Sequence, residues 1–315
     1  VKLFDLKSLP SKVSVYEVGP RDGLQNETII LPTKIKLELI KKLIAAGLPA
    51  VEVTSMVPAN LLPTLSDADQ LLAELSDLLP HHRLPVLVPN QKGLERALTA
   101  DVREIAVFAS ATESFSQANL NRSIKDSRSV FDLVIREAKS EGLKVRGYIS
   151  MCFGDPWEGP VSTEQVSIVA QSLFESGVDE LSLGDTIGVA TAKQVVELLD
   201  QLSKDGMDRQ FLAVHFHDTY GQALSNTLVA LSEGITTVDS SIAGLGGCPF
   251  AKSATGNLAT EDLVWQLNGL GIETGIDLPA LIKAGVWLAK STGLKIRSKT
   301  AIALSGLQDV GEEEK

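Results

Sequence analysis

The chain has 315 residues, 44% hydrophobic and 22% charged, which suffices for a sizeable core. Its net charge of -11 and pI near 4.9 argue against nucleic acid or an anionic membrane as partner. An anionic substrate stays possible wherever a local cation overrides the global field. The only two cysteines, Cys152 and Cys248, are too few for a disulfide framework and point to a reducing compartment. No run of about 18 apolar residues marks a membrane span. The first residues, VKLFDLKSLPSK, lack the apolar centre of a signal peptide. Bacterial cytoplasm is the expected location; a mature mitochondrial matrix enzyme is the alternative with the same composition.

Short apolar, β-rich runs alternate along the chain with longer segments of helical period. The first strand candidate is VSVYEVG (13–19), followed by the helical KIKLELIKKLIAAG, AVEVTSM (50–56), LPVLVPN (84–90) and EIAVFASA (104–111). The helical SVFDLVIREAKSEG leads to KVRGYISMCF (144–153), and QVSIVAQSLFESG to ELSLGDTIG (180–188). AKQVVELLDQLSKDG then leads to FLAVHFHDTYG (211–221), and TTVDSSIAG (236–244) completes the series. Several helices close on a glycine (47, 142, 177, 206, 234), the usual left-handed stop. Pro32-Thr33 and Ser162-Thr163 read as helix starts, with Glu164 in the first turn of the second.

Eight strands with near-continuous apolar cores, each followed by a helix, imply parallel pairing with both faces covered. Eight such units favour a closed (β/α)8 TIM barrel; a doubly wound open sheet is the alternative. The last barrel helix is expected near Thr260, and a further helix, LPALIKAGVWLAKSTG (278–293), is appended. No linker rich in Pro, Gly or Ser divides the chain. The expectation is therefore one catalytic domain, with the barrel over about 13–271 and the extra helix and a charged, frayed tail over 272–315.

Barrel enzymes of this type work at the C-terminal ends of the strands. The first strand ends in GPRDGLQNE, placing Arg21 and Asp22 at the mouth. The seventh carries His215 and His217, which share one face of the strand about 6.5–7 Å apart. The loop after the eighth holds Cys248 and Asn257. Strands seven, eight and one are neighbours in a closed barrel, so Asp22, His215, His217 and Asn257 converge on one arc. Two nitrogens and two oxygens with open positions suit octahedral Mg2+ or Mn2+, whereas Zn2+ prefers about four ligands. A core histidine and a Gly-Asn turn are the bland alternatives for these residues. Gln25, Ser55 and Ser182 lie near the same rim and are expected to line the pocket.

GPRDGLQNE (19–27), LSLGDTIG (181–188), VHFHDTYGQALSN (214–226) and GGCPFAKSATGNLATEDLVW (246–265) resemble the 3-hydroxy-3-methylglutaryl-CoA lyase family. The resemblance runs over about residues 13–300, and the cysteine loop is its most specific part. The wider metallolyase superfamily, with isopropylmalate, homocitrate and citramalate synthases, shares the Arg-Asp strand end and the HxH strand. Its other members usually lack this cysteine loop and commonly carry further C-terminal domains. The resemblance implies cleavage of the CoA thioester to acetyl-CoA and acetoacetate, as in leucine breakdown and ketone-body formation, with a small acyl-CoA as substrate and a homodimer as assembly.

It also implies Asp22, His215, His217 and Asn257 as metal ligands, Arg21 as the catalytic cation and Cys248 as the reactive thiol of a mobile loop. Glu52 and Asp185 match further active-site carboxylates, and Lys299 falls where the family places groups near the CoA chain. Phe250 and Ser253 depart from the common Tyr and Gly without removing a needed chemical group. In such a cleavage the C3 hydroxyl loses its proton while electrons flow into the thioester as an enolate. A cation lowers the hydroxyl pKa, Arg21 faces the enolate oxygen, and Cys248, a thiol near neutrality, can protonate the enolate carbon. Asp22, His215 or a coordinated water remain open as the base. A Claisen condensing synthase and a non-catalytic barrel are the competing functions.

Overall fold

The computed structural model describes residues 9–247 and 256–306. Strand β1 (Ser14–Glu17) is followed by helix α1 (Thr33–Ala45), β2 (Ala50–Val51), β3 (Thr54–Ser55), α2 (Ala68–Glu74), β4 (Val86–Leu87), α3 (Gln91–Thr99) and β5 (Glu104–Ser110). Then come α4 (Glu113–Leu120), α5 (Ile124–Ser140), β6 (Lys144–Ser150), α6 (Thr163–Ser176), β7 (Glu180–Asp185) and α7 (Ala192–Lys204). The chain continues through β8 (Leu212–Phe216), α8 (Ala223–Ser232), β9 (Thr237–Ser240), α9 (Thr260–Gly269), α10 (Leu278–Thr292) and α11 (Lys299–Ser305). All pairings are parallel, in the order β2-β1-β9-β8-β7-β6-β5-β4-β3.

The two ends of that order, β2 and β3, are halves of the single expected strand 50–56. The Glu52 amide donates to Glu17 O at 2.9 Å on one side, and the Val53 amide to Pro85 O at 3.0 Å on the other. One stave thus bonds both neighbours and closes the sheet into the eight-stave barrel the sequence predicts. Three features were not foreseen: the break in that stave, the inserted α4, and α11. The last is docked on α9, where Asp262 accepts the amides of Lys299 and Thr300 and the Ser298 hydroxyl.

Strand alternation sorts the side chains into two populations. Val15, Val51, Val53, Ile149, Leu181, Leu183, Val214 and Val238 point outward and join the helices in one large apolar core. Facing inward are Tyr16, Arg146, Tyr148, Ser182, His215 and Asp239, with only small apolar clusters around Tyr16 and Leu87. The barrel interior is therefore a stack of charges. At its lower end Arg83 bonds Glu104 twice at 2.7 Å. Above, Arg146 bonds Glu180 at 2.6 Å and Asp239 at 2.7 and 3.0 Å, its guanidinium 3.9 Å from the Tyr16 ring centroid. Each buried cation there has a carboxylate partner, as low-dielectric surroundings demand.

Helix ends follow the expected chemistry. Ser162 and Gln165 form a reciprocal capping box at the start of α6. Gly177 at its end takes φ +111°, a conformation a side chain would strain. Among the described residues no helix is long and apolar enough to cross a membrane.

Candidate active site

The end of β1 winds into a single π-type turn over Gly19–Gly23, with three amides (21, 22 and 23) bonded to Val18 O. That tight turn lifts Arg21 and Asp22 over the barrel mouth side by side. Gly19 must lack a side chain there, since a Cβ would stand 2.6 Å from Glu17 Oε1. Opposite, β8 delivers His215 inward and His217 just beyond its end, ring centroids 5.2 Å apart. His217 forms a bridge with Asn257, the residue that returns from the cysteine loop. Ligand atoms of Asp22, His215 and His217 lie within 4.8 Å of one another, close enough to share one cation.

Asn257 completes the cluster. Its Nδ2 donates to Asp22 Oδ2 at 2.8 Å and to Leu245 O at 3.0 Å. Its Oδ1 is buried without a hydrogen-bond partner among the described residues, and so is His217 Nδ1. Buried lone pairs left unpaired cost free energy, and a cation accepting them removes that cost. The donor set of two imidazoles, a carboxylate and an amide oxygen fits a divalent ion.

Charge is tuned around this cluster. Burial would raise the Asp22 carboxyl, but Arg21 and then the two histidines outweigh it and hold it below its ordinary value. Burial, reinforced by the neighbouring His215, pulls His217 down to about 4, leaving it neutral and free to coordinate near neutral pH. His215 is also penalised by burial, yet the hydrogen bond and charge of Asp239 lift it above the usual imidazole value.

Arg21 is 6% exposed and held on three sides. Nη1 bonds Asp22 Oδ1 at 2.8 Å, Nη2 bonds Glu52 Oε2 at 3.1 Å, and Cζ lies 5.4 Å from the Tyr148 ring centroid. Tyr148 donates its hydroxyl to the same Glu52 oxygen at 2.6 Å. The Arg21 Nε has no partner among the described residues. A cavity of about 450 Å³ opens over this array, lined by Arg21, Asp22, Gln25, His215 and His217 and walled by Leu61, Phe108, Phe115 and Tyr148.

Other expected residues stand elsewhere. Ser55, Ser182 and Asp185 are buried and do not line the cavity. Ser55 follows the break in its stave and pairs in register with inward Leu87, and its hydroxyl accepts the Val57 amide. Ser182 points inward but one layer too deep, donating to Asp239 Oδ2 at 2.8 Å. Asp185 pairs in register with outward Phe216 and accepts the amides of Val189 and Ala190 at 2.9 and 3.0 Å. It shapes the loop after β7, and burial pushes its carboxyl up to about 6. Lys299 is exposed at the start of α11, away from the cavity lining rather than on a loose tail. Cys248, Phe250 and Ser253 lie outside the described residues. Tyr148, Arg146 and Asp239 were not singled out from the sequence, although KVRGYIS places Arg146, Tyr148 and Ser150 on one side of an otherwise apolar strand.

A closed parallel barrel whose C-terminal mouth gathers two imidazoles, a carboxylate and an amide beside a buried guanidinium defines the class: a (β/α)8 enzyme barrel with a candidate divalent-metal centre. The HMGL-like family model matches residues 12–286, and the chain belongs to that family. It is 50% identical over 299 residues to the mitochondrial hydroxymethylglutaryl-CoA lyase of Arabidopsis thaliana, covering 95% of this chain but 64% of that protein's length. To the cytoplasmic 3-hydroxy-3-methylglutaryl-CoA lyase of Danio rerio it is 49% identical, covering 96% of this chain and 90% of the other. The crystal structure of hydroxymethylglutaryl-CoA lyase from Pseudomonas aeruginosa superposes with a TM-score of 0.91 at 47% identity, covering 95% and 99% of the two chains.

Proposed function

We propose that the chain cleaves 3-hydroxy-3-methylglutaryl-CoA to acetyl-CoA and acetoacetate, with Mg2+ or Mn2+ held by Asp22, His215, His217 and Asn257. The observation that carries this reading is the convergence of Asp22, His215 and His217 beside Arg21 in one cavity, with Asn257 hydrogen-bonded to Asp22 behind it. When bound there, a divalent cation would lower the pKa of a coordinated hydroxyl and fix the substrate's orientation.

The chain's own groups supply the rest. The C3 hydroxyl gives up its proton, the C2–C3 bond breaks, C3 becomes the ketone of acetoacetate, and the electron pair passes to the thioester as an enolate. Arg21 faces the developing enolate oxygen as a fixed, permanently charged donor. Glu52 and the Tyr148 hydroxyl hold that guanidinium in place, so it need not reorganise as charge develops. Gln25, in the lining, contacts substrate. Cys248 returns a proton to C2, giving acetyl-CoA. Asp22 and His215 are the two protein candidates for the base. Asp185 acts through the loop after β7, whereas Ser55, Ser182 and Lys299 have no assigned contact with substrate. The assembly proposed is a homodimer, and the location a reducing bacterial cytoplasm.

The test is acetoacetate formation from 3-hydroxy-3-methylglutaryl-CoA in a coupled assay. Turnover is expected with Mg2+ or Mn2+ and is abolished by chelator. Release of free CoA from acetyl-CoA and a 2-oxo acid, without acetoacetate formation, would instead identify a condensing synthase.

A further inference from the structure

His215 and His217 sit two residues apart but are held differently. His215 Nδ1 faces Asp239 Oδ2 at 3.3 Å, directly across the β8–β9 pair. His217 Nδ1 has no such partner among the described residues. Asp239 is itself immobilised: Arg146 Nη2 donates to Oδ1 at 2.7 Å and Nη1 to Oδ2 at 3.0 Å, and Ser182 adds 2.8 Å to Oδ2. Arg146 in turn is fixed by Glu180 and by the Tyr16 ring.

We infer that Asp239, braced by Arg146, is a positioning residue that keeps the proton of neutral His215 on Nδ1 and turns Nε2 toward Asp22 and His217. The argument is one of donors and acceptors. A carboxylate pinned by two guanidinium bonds can only accept, so the ring nitrogen facing it must donate. The other nitrogen then keeps its lone pair, and it is the one left for the cation cluster. Carboxylates behind ligating imidazoles act in this way generally, fixing both tautomer and ring orientation. Asp239 would not touch substrate; it acts through His215. The inference rests on the metal-centre reading for its consequence, though not for the tautomer itself.

A purely structural role, in which Asp239 merely neutralises Arg146, predicts something different. Glu180→Gln weakens the other carboxylate partner of Arg146 without altering Asp239, and so separates the two. The experiment uses metal-free full-length protein labelled with 15N at histidine, at alkaline pH where the rings are neutral, with the His215 signals assigned by their loss in His215→Gln. The wild type is expected to show His215 protonated on Nδ1. In Asp239→Asn the Nε2–H form should gain, and Mn2+ affinity, followed by the paramagnetic signal of the free ion, should fall about 10–100-fold. Glu180→Gln should lower the melting temperature yet leave tautomer and Mn2+ affinity unchanged. An Nε2–H tautomer in the wild type overturns the inference, and so does a folded Asp239→Asn with wild-type tautomer and Mn2+ affinity, or an equal loss of affinity in both variants. If Asp239→Asn does not fold, the wild-type tautomer alone decides. Failure of the wild type to bind Mn2+ would sink the metal-centre reading while leaving the tautomer result intact.

Discussion

Asp239 and Glu17 lie on paired strands, one register step apart, on opposite sides of the barrel wall. Both are wholly buried. Asp239 points inward, where Arg146 more than offsets the burial penalty and draws its carboxyl down to about 2. Glu17 points outward into the apolar layer between wall and helices, and burial pushes it up to about 7. Its partners are neutral: the amides of Gly19 and Ile242 and the Thr260 hydroxyl. Glu261 behaves likewise, raised to about 8 by burial and by Glu17, with the Ala243 amide bonded to both its oxygens. Cation-paired carboxylates thus line the inside, where the site uses fixed charge. Those outside brace backbone at the bases of the two loops that carry Arg21-Asp22 and the cysteine.

The largest expected effects come from removing the inner cations. Arg146→Met strands Asp239 and Glu180 in the barrel, and a broken buried pair costs about 3–5 kcal/mol. Urea unfolding should show that loss; wild-type stability would mean the inner carboxylates are not held as ions. Arg21→Met has its effect on turnover, a loss of about 3–4 kcal/mol of transition-state stabilisation, or roughly 10²–10³ in kcat. Mn2+ binding should persist, since Arg21 is not among the clustered ligand groups. Near-normal turnover would remove Arg21 from the chemistry.

How far the sequence shows this division depends on what alternation and strand-end position can reveal. The β/α rhythm determines the barrel, and strand ends locate Arg21, Asp22, His215, His217 and Asn257 because the mouth of a barrel is where its strands stop. Depth and side are harder. Ser182 is inward but lies a layer below the cavity, a matter of strand stagger that no local pattern reveals. Asp185 stands on the outward parity of its strand, which alternation with Leu181 and Leu183 does disclose, whereas Ser55 follows a break that resets the alternation and pairs with inward Leu87. The same alternation exposes Arg146 and Tyr148 on the inner side of β6, and Asp239 between the outward Val238 and a serine. Glu17 follows Val15 on the outward side, but that it is held by amides rather than a cation emerges only from the fold.

The outer carboxylates make an intermediate, pH-dependent prediction. A carboxyl raised from 4.5 to about 7 on folding binds its proton more tightly in the native state. Its favourable contribution is complete below 4.5 and is lost as pH rises to about 7, a difference of at most about 3 kcal/mol. Glu17→Gln should erase that slope. The amide oxygen can still accept from Gly19 and Ile242, while the new NH2 donates to Thr260. Unfolding free energies should therefore match the wild type in acid and exceed it above pH 7. Destabilisation at every pH would show that Glu17 is needed as an anion, and the contrast between the two sides of the wall would fail.

Tyr148→Phe probes the boundary between the two regimes and should have the smallest effect. Among the described residues Glu52 has one cationic partner, Arg21, and one neutral donor, the Tyr148 hydroxyl, both on Oε2, while its Oε1 has no partner. Losing the hydroxyl leaves Arg21 as the sole brace for that carboxylate among the described residues. A hydrogen bond to a charged group contributes about 1.5–3 kcal/mol, but the ring and its stacking under Arg21 survive the substitution. The expected outcome is a drop in kcat of about tenfold, with KM and Mn2+ affinity little changed, because the guanidinium is still present but less firmly aimed. Tight-binding enolate analogues should lose affinity in proportion to kcat. A change in KM alone would instead assign Tyr148 to ground-state substrate contact, in keeping with its place in the cavity wall.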